Sequence, residues 1–154
     1  MLSSRLRALA PLGALILGAS LGAPAVAGEA QDVAQACIER IGDRVERARE
    51  GISNTRSRTL ARIEELDEGG APDAAILHAA QEGKEAINLR AVDAQRDVTQ
   101  IAQRCVEELE ALDAPRPLIH QVHRAAHAGR MTIRMVRNRS LMVINGAVRR
   151  ALSD

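Results

Sequence analysis

Glu65-Leu66-Asp67-Glu68-Gly69-Gly70-Ala71-Pro72-Asp73-Ala74-Ala75-Ile76 is the stretch that decides the fold. Its paired glycines and its proline break a chain whose pattern is otherwise helical, since glycine readily closes a helix and proline can open the next. The break falls midway between the only two cysteines, Cys37 and Cys105, whose numbers average to 71. A reversal there brings the two thiols level. The spacing therefore predicts two long antiparallel helices joined by a disulfide near their open end.

Before the break a seam runs through Ala34, Ile38, Ile41, Val45, Ala48, Ile52, Thr55, Thr59, Ile63 and Leu66. After it a second seam runs through Ala80, Gly83, Ile87, Ala91, Ala94, Val98, Ile101, Cys105, Leu109 and Leu112. Both alternate steps of three and four, the pattern of a coiled-coil face. Folding at residue 71 sets Ile41 opposite Ile101, Ala48 opposite Ala94, Thr55 opposite Ile87 and Leu66 opposite Ile76, with Glu46–Arg96 and Arg49–Asp93 as flanking ion pairs. Small residues in mid-seam let the backbones approach, and a disulfide demands the same, because its Cα atoms must usually lie within about 7 Å. Gly51-Ile52-Ser53-Asn54 is the weak point of the first helix, glycine costing about 1 kcal/mol against alanine in a helix interior.

Asp113-Ala114-Pro115-Arg116-Pro117 ends the second helix and opens a third, since each proline biases its predecessor away from helical geometry. The apolar stripe of that third helix is Ile119, Val122, Ala126, Gly129, Ile133, Val136, Ser140, Val143 and Ala147. Asn145-Gly146 between apolar residues is a competing hairpin signal, outweighed by the stripe that runs through it and by the lack of partner strands. The expected fold class is all-α: a long antiparallel helical hairpin over residues 28–114 and a C-terminal helix over residues 115–154 packed against it, an elongated, disulfide-braced, coiled-coil-like bundle.

Residues 1–27 read as an export signal, with Arg5 and Arg7 before an apolar run and Ala25-Val26-Ala27 as the cleavage site. Export to a periplasmic or secreted location suits the cysteines, because a lone pair in an oxidising compartment is ordinarily a disulfide. After cleavage no later stretch approaches the roughly 18 apolar residues of a membrane span. The excess of arginine, 20 residues against one lysine, points to a GC-rich bacterial genome. The chain has no Phe, Tyr or Trp. Base stacking, sugar-ring packing and aromatic cages for quaternary ammonium groups are therefore excluded.

Charge divides the chain. Residues 28–114 hold 11 basic and 19 acidic side chains, whereas residues 115–154 hold 8 arginines and one aspartate. On the third helix Arg116, His120, His123, His127, Arg130, Arg134 and Arg137 recur at steps of three and four as a ridge along one face.

Three roles fit the ridge. As internal glue it neutralises the hairpin, with His123 near Glu108, Arg124 near Glu107, Arg134 near Asp97 and Arg137 near Asp93. Turned outward, it contacts a protein or an anionic envelope component, such as an acidic lipid surface or glycan, and any nucleic-acid binding is nonspecific for want of a reading motif. The alternative is a metal site of His120, His123 and His127 with Met131 and Met135, and with Met142 further along, a donor set that suits copper or another transition metal. A variant gathers Cys37, Cys105, His123 and His127 around zinc. Without a triad constellation or a phosphate loop the chain is expected to be no enzyme and to need no cofactor. The expectation is an exported structural or interaction module, whose open helix faces also allow a homo-oligomer.

Overall fold

The computed structural model describes residues 23–153, with side chains from residue 28 onward. Three helices account for almost all of it: α1 (Ala23–Glu68), α2 (Asp73–Ala111) and α3 (Arg116–Ala151). Each packs on both of the others, α2 antiparallel to its neighbours, and at 1.5 Å per residue each is on the order of 50 to 70 Å long. The expected three-helix bundle is present. Residues 1–22 of the signal reading lie outside the described residues, and Ala30 is the first buried side chain, so cleavage after Ala27 would remove none of the described core. Among the described residues no helix is long and apolar enough to cross a membrane.

The two turns are one motif written twice. Gly70 has φ 64° and Asp113 φ 49°, the left-handed conformation that closes a helix. Gly70 N–H donates to Asp67 O at 2.9 Å and Ala71 N–H to Leu66 O at 2.9 Å; likewise Asp113 N–H donates to Glu110 O at 3.0 Å and Ala114 N–H to Leu109 O at 2.9 Å. Proline follows in both cases and starts the next helix. The signal common to both is Leu-x-x-x-(Gly or Asp)-Ala-Pro, at Leu66–Pro72 and at Leu109–Pro115.

Cys37 and Cys105 form the predicted disulfide, with Cα atoms 5.9 Å apart. Its closed loop restrains the unfolded chain by roughly 4 kcal/mol on the chain-entropy account. The register about residue 71 holds elsewhere too, since a Cβ added to Gly83 would fall on the Thr59 side chain. Thr59 Cβ itself would lie 2.8 Å away, so turning the threonine clears no room and α1 and α2 would have to separate. At Gly129 an added Cβ would lie 2.8 Å from Val45 Cγ2, a close but looser approach of α3 to α1.

The seams differ from expectation by one residue at three places. Cys37, Ala102 and Ile144 are buried where Ile38, Ile101 and Val143 were expected. The cause is the period. Ile41, Ile52 and Ile63 on α1, Ile76, Ile87, Val98 and Leu109 on α2, and Val122, Ile133 and Ile144 on α3 each recur at eleven-residue intervals. Between them stand smaller side chains, as in Ala80-Gly83, Ala91-Ala94 and Ala102-Cys105. Eleven residues in three turns is 3.67 per turn, close to the natural helix, so the helices lack the left-handed supercoil of a seven-residue repeat. Helix α1 runs unbroken through Gly51-Ile52-Ser53-Asn54, with Ile52 fully buried, and α3 runs through Asn145-Gly146.

Thr55, Thr59 and Thr99 return their hydroxyls to the carbonyl four residues back, whereas the buried Ser140 hydroxyl finds no partner. Of the two left-handed turn residues, aspartate is the more strained. Asp113→Gly is expected to raise stability by about 0.5–1 kcal/mol, read as a higher melting temperature; a lower one would show that the carboxylate contributes more to the turn than its conformation costs.

Candidate functional site: the outward basic face of α3

Helix α3 contains no aspartate or glutamate between Arg116 and Ala151. Its sequence buries Val122, Ala126, Gly129, Ile133, Ser140 and Ile144 against the hairpin, and this fixes which side chains point away. Arg116, His120, His123, Arg124, His127 and Arg134 are exposed; Arg130 and Arg137 are half-buried. The predicted ridge is thus not one straight line. A series stepping by 3.5 residues on a helix that turns in about 3.6 drifts sideways, and this series begins facing solvent at Arg116 and ends at the edge of the core with Arg137. Arg137 occupies the repeat position of Ala126, and its guanidinium donates to Asn138 Oδ1 at 2.9 Å.

The ridge is not the glue of the bundle. Among the described residues the ion pairs are Arg40–Glu108 at 3.1 Å, Arg44–Asp97 at 2.8 Å, Arg49–Glu46 at 2.8 Å, Arg62–Glu65 at 2.7 Å and His78–Glu82 at 3.4 Å. None draws on α3. The expected partners Glu108 and Asp97 belong instead to Arg40 and Arg44 of α1, and the expected Glu46–Arg96 and Arg49–Asp93 pairs give way to a contact within α1. Rotation explains it. Asp97 and Glu108 lie on the flank of α2 that faces α1, whereas Lys84, Asn88, Gln95 and Thr99 share the other flank, where Lys84 Nζ meets Asn145 Oδ1 of α3 at 3.3 Å. The α2 flank beside the ridge thus offers amides and a hydroxyl at the levels where carboxylates were expected. Axial level also shifts, because Val98 beside Gly129 and Lys84 beside Asn145 centre the return close to Ala114. On the α1 side, Arg139 shares a shallow groove with Glu46 and Glu50, and Arg150 one with Glu64 and Asp67, beyond ion-pair distance.

His120, His123 and His127 line a shallow depression with Pro117 and Arg124 at the turn end of α3. The three imidazoles do not have their ligand atoms within 4.8 Å of one another: the only such set of three His, Cys, Asp or Glu groups among the described residues is Cys37, Cys105 and Glu108. Those sulfurs are bonded to each other, which also removes the zinc set of Cys37, Cys105, His123 and His127. Met131 and Met135 are 39% and 60% exposed. Arg40 covers the disulfide, its Nη2 lying 3.0 Å from Cys37 Sγ and 3.4 Å from Cys105 Sγ while also holding Glu108.

Sequence reasoning missed the crest of α3. His120, Arg124, Met131, Met135 and Met142 stand opposite the buried stripe, and Met142 is 71% exposed. The signal was the eleven-residue spacing of His120, Met131 and Met142, which places them where the core repeat is furthest away. No protein family, curated protein or solved structure matches this chain.

The pairing is tested by double-mutant cycles on melting. Asp97→Asn with Arg44→Gln should show a coupling of roughly 0.2–1 kcal/mol, the usual range for partly exposed pairs. Asp97→Asn with Arg134→Gln should be additive within about 0.5 kcal/mol.

Proposed function

We propose that this chain is an exported structural or interaction module whose third helix presents a basic face to an anionic partner. The observation that carries the reading is electrostatic. Eight arginines stand on a helix without a carboxylate, and none has an ion-pair partner among the described residues. Guanidinium groups left in water remain available for charge-assisted hydrogen bonds to phosphate, sulfate or carboxylate. The bundle fixes the rows on which they stand, so only the side chains and not the backbone must be ordered when a partner docks. The hairpin supplies the scaffold, and its Cys37–Cys105 bond suits an oxidising compartment such as the periplasm.

The basic face of α3 is tested with Arg116→Gln, Arg124→Gln and Arg134→Gln together, all at exposed positions. Retention on immobilised heparin, used as a generic polyanion, should fall to lower salt while melting stays unchanged; unchanged retention would remove the reading. Export is tested by expressing the full chain in a bacterium with a periplasm. The recovered protein should begin at Gly28 and show no free thiol, and a cytoplasmic protein that keeps Met1 would defeat this part. Added copper or zinc that raises melting, with the rise lost on changing His120, His123 and His127 to alanine, would favour the metal alternative.

A further inference from the structure

We propose that the surface the α3 face binds is an anionic lipid bilayer, on which the helix lies flat. This rests on the reading of the face as anion-binding and adds the partner. Charge alone does not choose among polyanions. The choice comes from what stands between the charges.

The crest of α3 carries Met131, Met135 and Met142, 39%, 60% and 71% exposed. Large exposed apolar side chains aligned on one helix face are unusual on an isolated domain and mark contact surfaces. Arginines flank this line on both sides, Arg130 and Arg134 toward α2, Arg139 and Arg150 toward α1. Met135, Met142 and Val143 line a shallow depression with Arg139 and Arg150 at its rim, and Gly146 leaves it open. On α2, Val92 adds an exposed apolar side chain, 50% exposed, on the flank of Asn88 and Gln95 and level with Met135. A soluble polyanion such as a glycan or a nucleic acid uses the guanidinium groups and has no use for a thioether line between them. A bilayer uses both, since guanidinium groups sit at headgroup depth while unbranched thioethers enter the acyl boundary between them.

The rest of the molecule agrees with that orientation. The outer face of α1 carries Asp32, Glu39, Asp43 and Glu50, all exposed, with Arg47 beside them, and the hairpin over residues 28–114 holds 19 acidic side chains against 11 basic ones. The bundle is therefore electrically lopsided, and a negative surface attracts it by α3 and repels the hairpin. No segment needs to insert. Peripheral attachment of this kind is reversible and weakened by salt.

Sedimentation with phosphatidylcholine vesicles, with and without phosphatidylglycerol, tests the proposal on the mature, oxidised protein. Binding is expected only with phosphatidylglycerol and should fall as salt rises. Changing Arg116, Arg124 and Arg134 to glutamine should weaken it roughly a hundredfold, at about a factor of five per arginine. Changing Met131, Met135 and Met142 to serine should weaken vesicle binding several-fold while leaving heparin retention intact, a split that a purely electrostatic face does not give. All three methionines are exposed, so melting should hold; the milder Met135→Ser with Met142→Ser is the check if it does not. Equal binding to neutral vesicles, or vesicle binding indifferent to the methionine changes, overturns the lipid assignment. Heparin retention without vesicle binding overturns it too and leaves the anion-binding face standing; loss of both removes the two readings together. Self-association at low salt, abolished by Asp43→Gln, Glu46→Gln and Glu50→Gln with no vesicle binding, would assign the face to a second copy of this chain instead.

Discussion

The close approach of three helix backbones is the constraint on which the rest of the structure depends. It is possible because only one seam position in three is large. Isoleucine, valine or leucine recurs every eleven residues, and the positions between are mostly alanine, glycine, cysteine, serine or threonine. Gly83 against Thr59 and Gly129 against Val45 leave no space for one more methyl group. A core of this kind buries little area per residue, and without aromatic side chains no single residue can compensate. Contact along three long helices and one covalent brace supply what a globular core would draw from bulk.

That packing also decides where charge can go. Helices this close leave no room for long side chains in the seam, so arginines are confined to flanks and crests. The flank of α2 facing α1 carries the carboxylates, and Arg40 and Arg44 take them. The opposite flank carries amides, and α3, which packs there, retains its charge. The unneutralised face of α3 follows from how a fixed set of side chains is shared out among three helices. The disulfide reinforces the sharing, because Arg40 rests on both sulfurs while holding Glu108.

Much of this was legible in the chain, and the parts that were not have identifiable causes. The turn at Gly69–Pro72, the helix count, the antiparallel register and the Cys37–Cys105 bond follow from spacing alone. The seams were misplaced by one residue at Cys37, Ala102 and Ile144 because alternating threes and fours fit both a seven- and an eleven-residue repeat over short windows. Only the run of large residues at Ile76, Ile87, Val98 and Leu109 separates them. The same error drew Arg116 to Arg137 as one straight ridge, whereas the true repeat winds it toward the core and brings Met131, Met135 and Met142 to the crest.

By itself, then, the sequence determined an all-α hairpin with a third helix, its brace and its division into acidic and basic parts, because turn chemistry and apolar spacing act locally along the chain. The tertiary structure alone decided which charges meet. Axial level can be counted from a turn, but rotation about each helix and the handedness of the bundle cannot, since they arise only when three seams are satisfied together. Asp97 stands near the level expected for Arg134 and yet faces Arg44. That rotation, absent from any one-dimensional count, leaves the arginines of α3 without an ion-pair partner among the described residues.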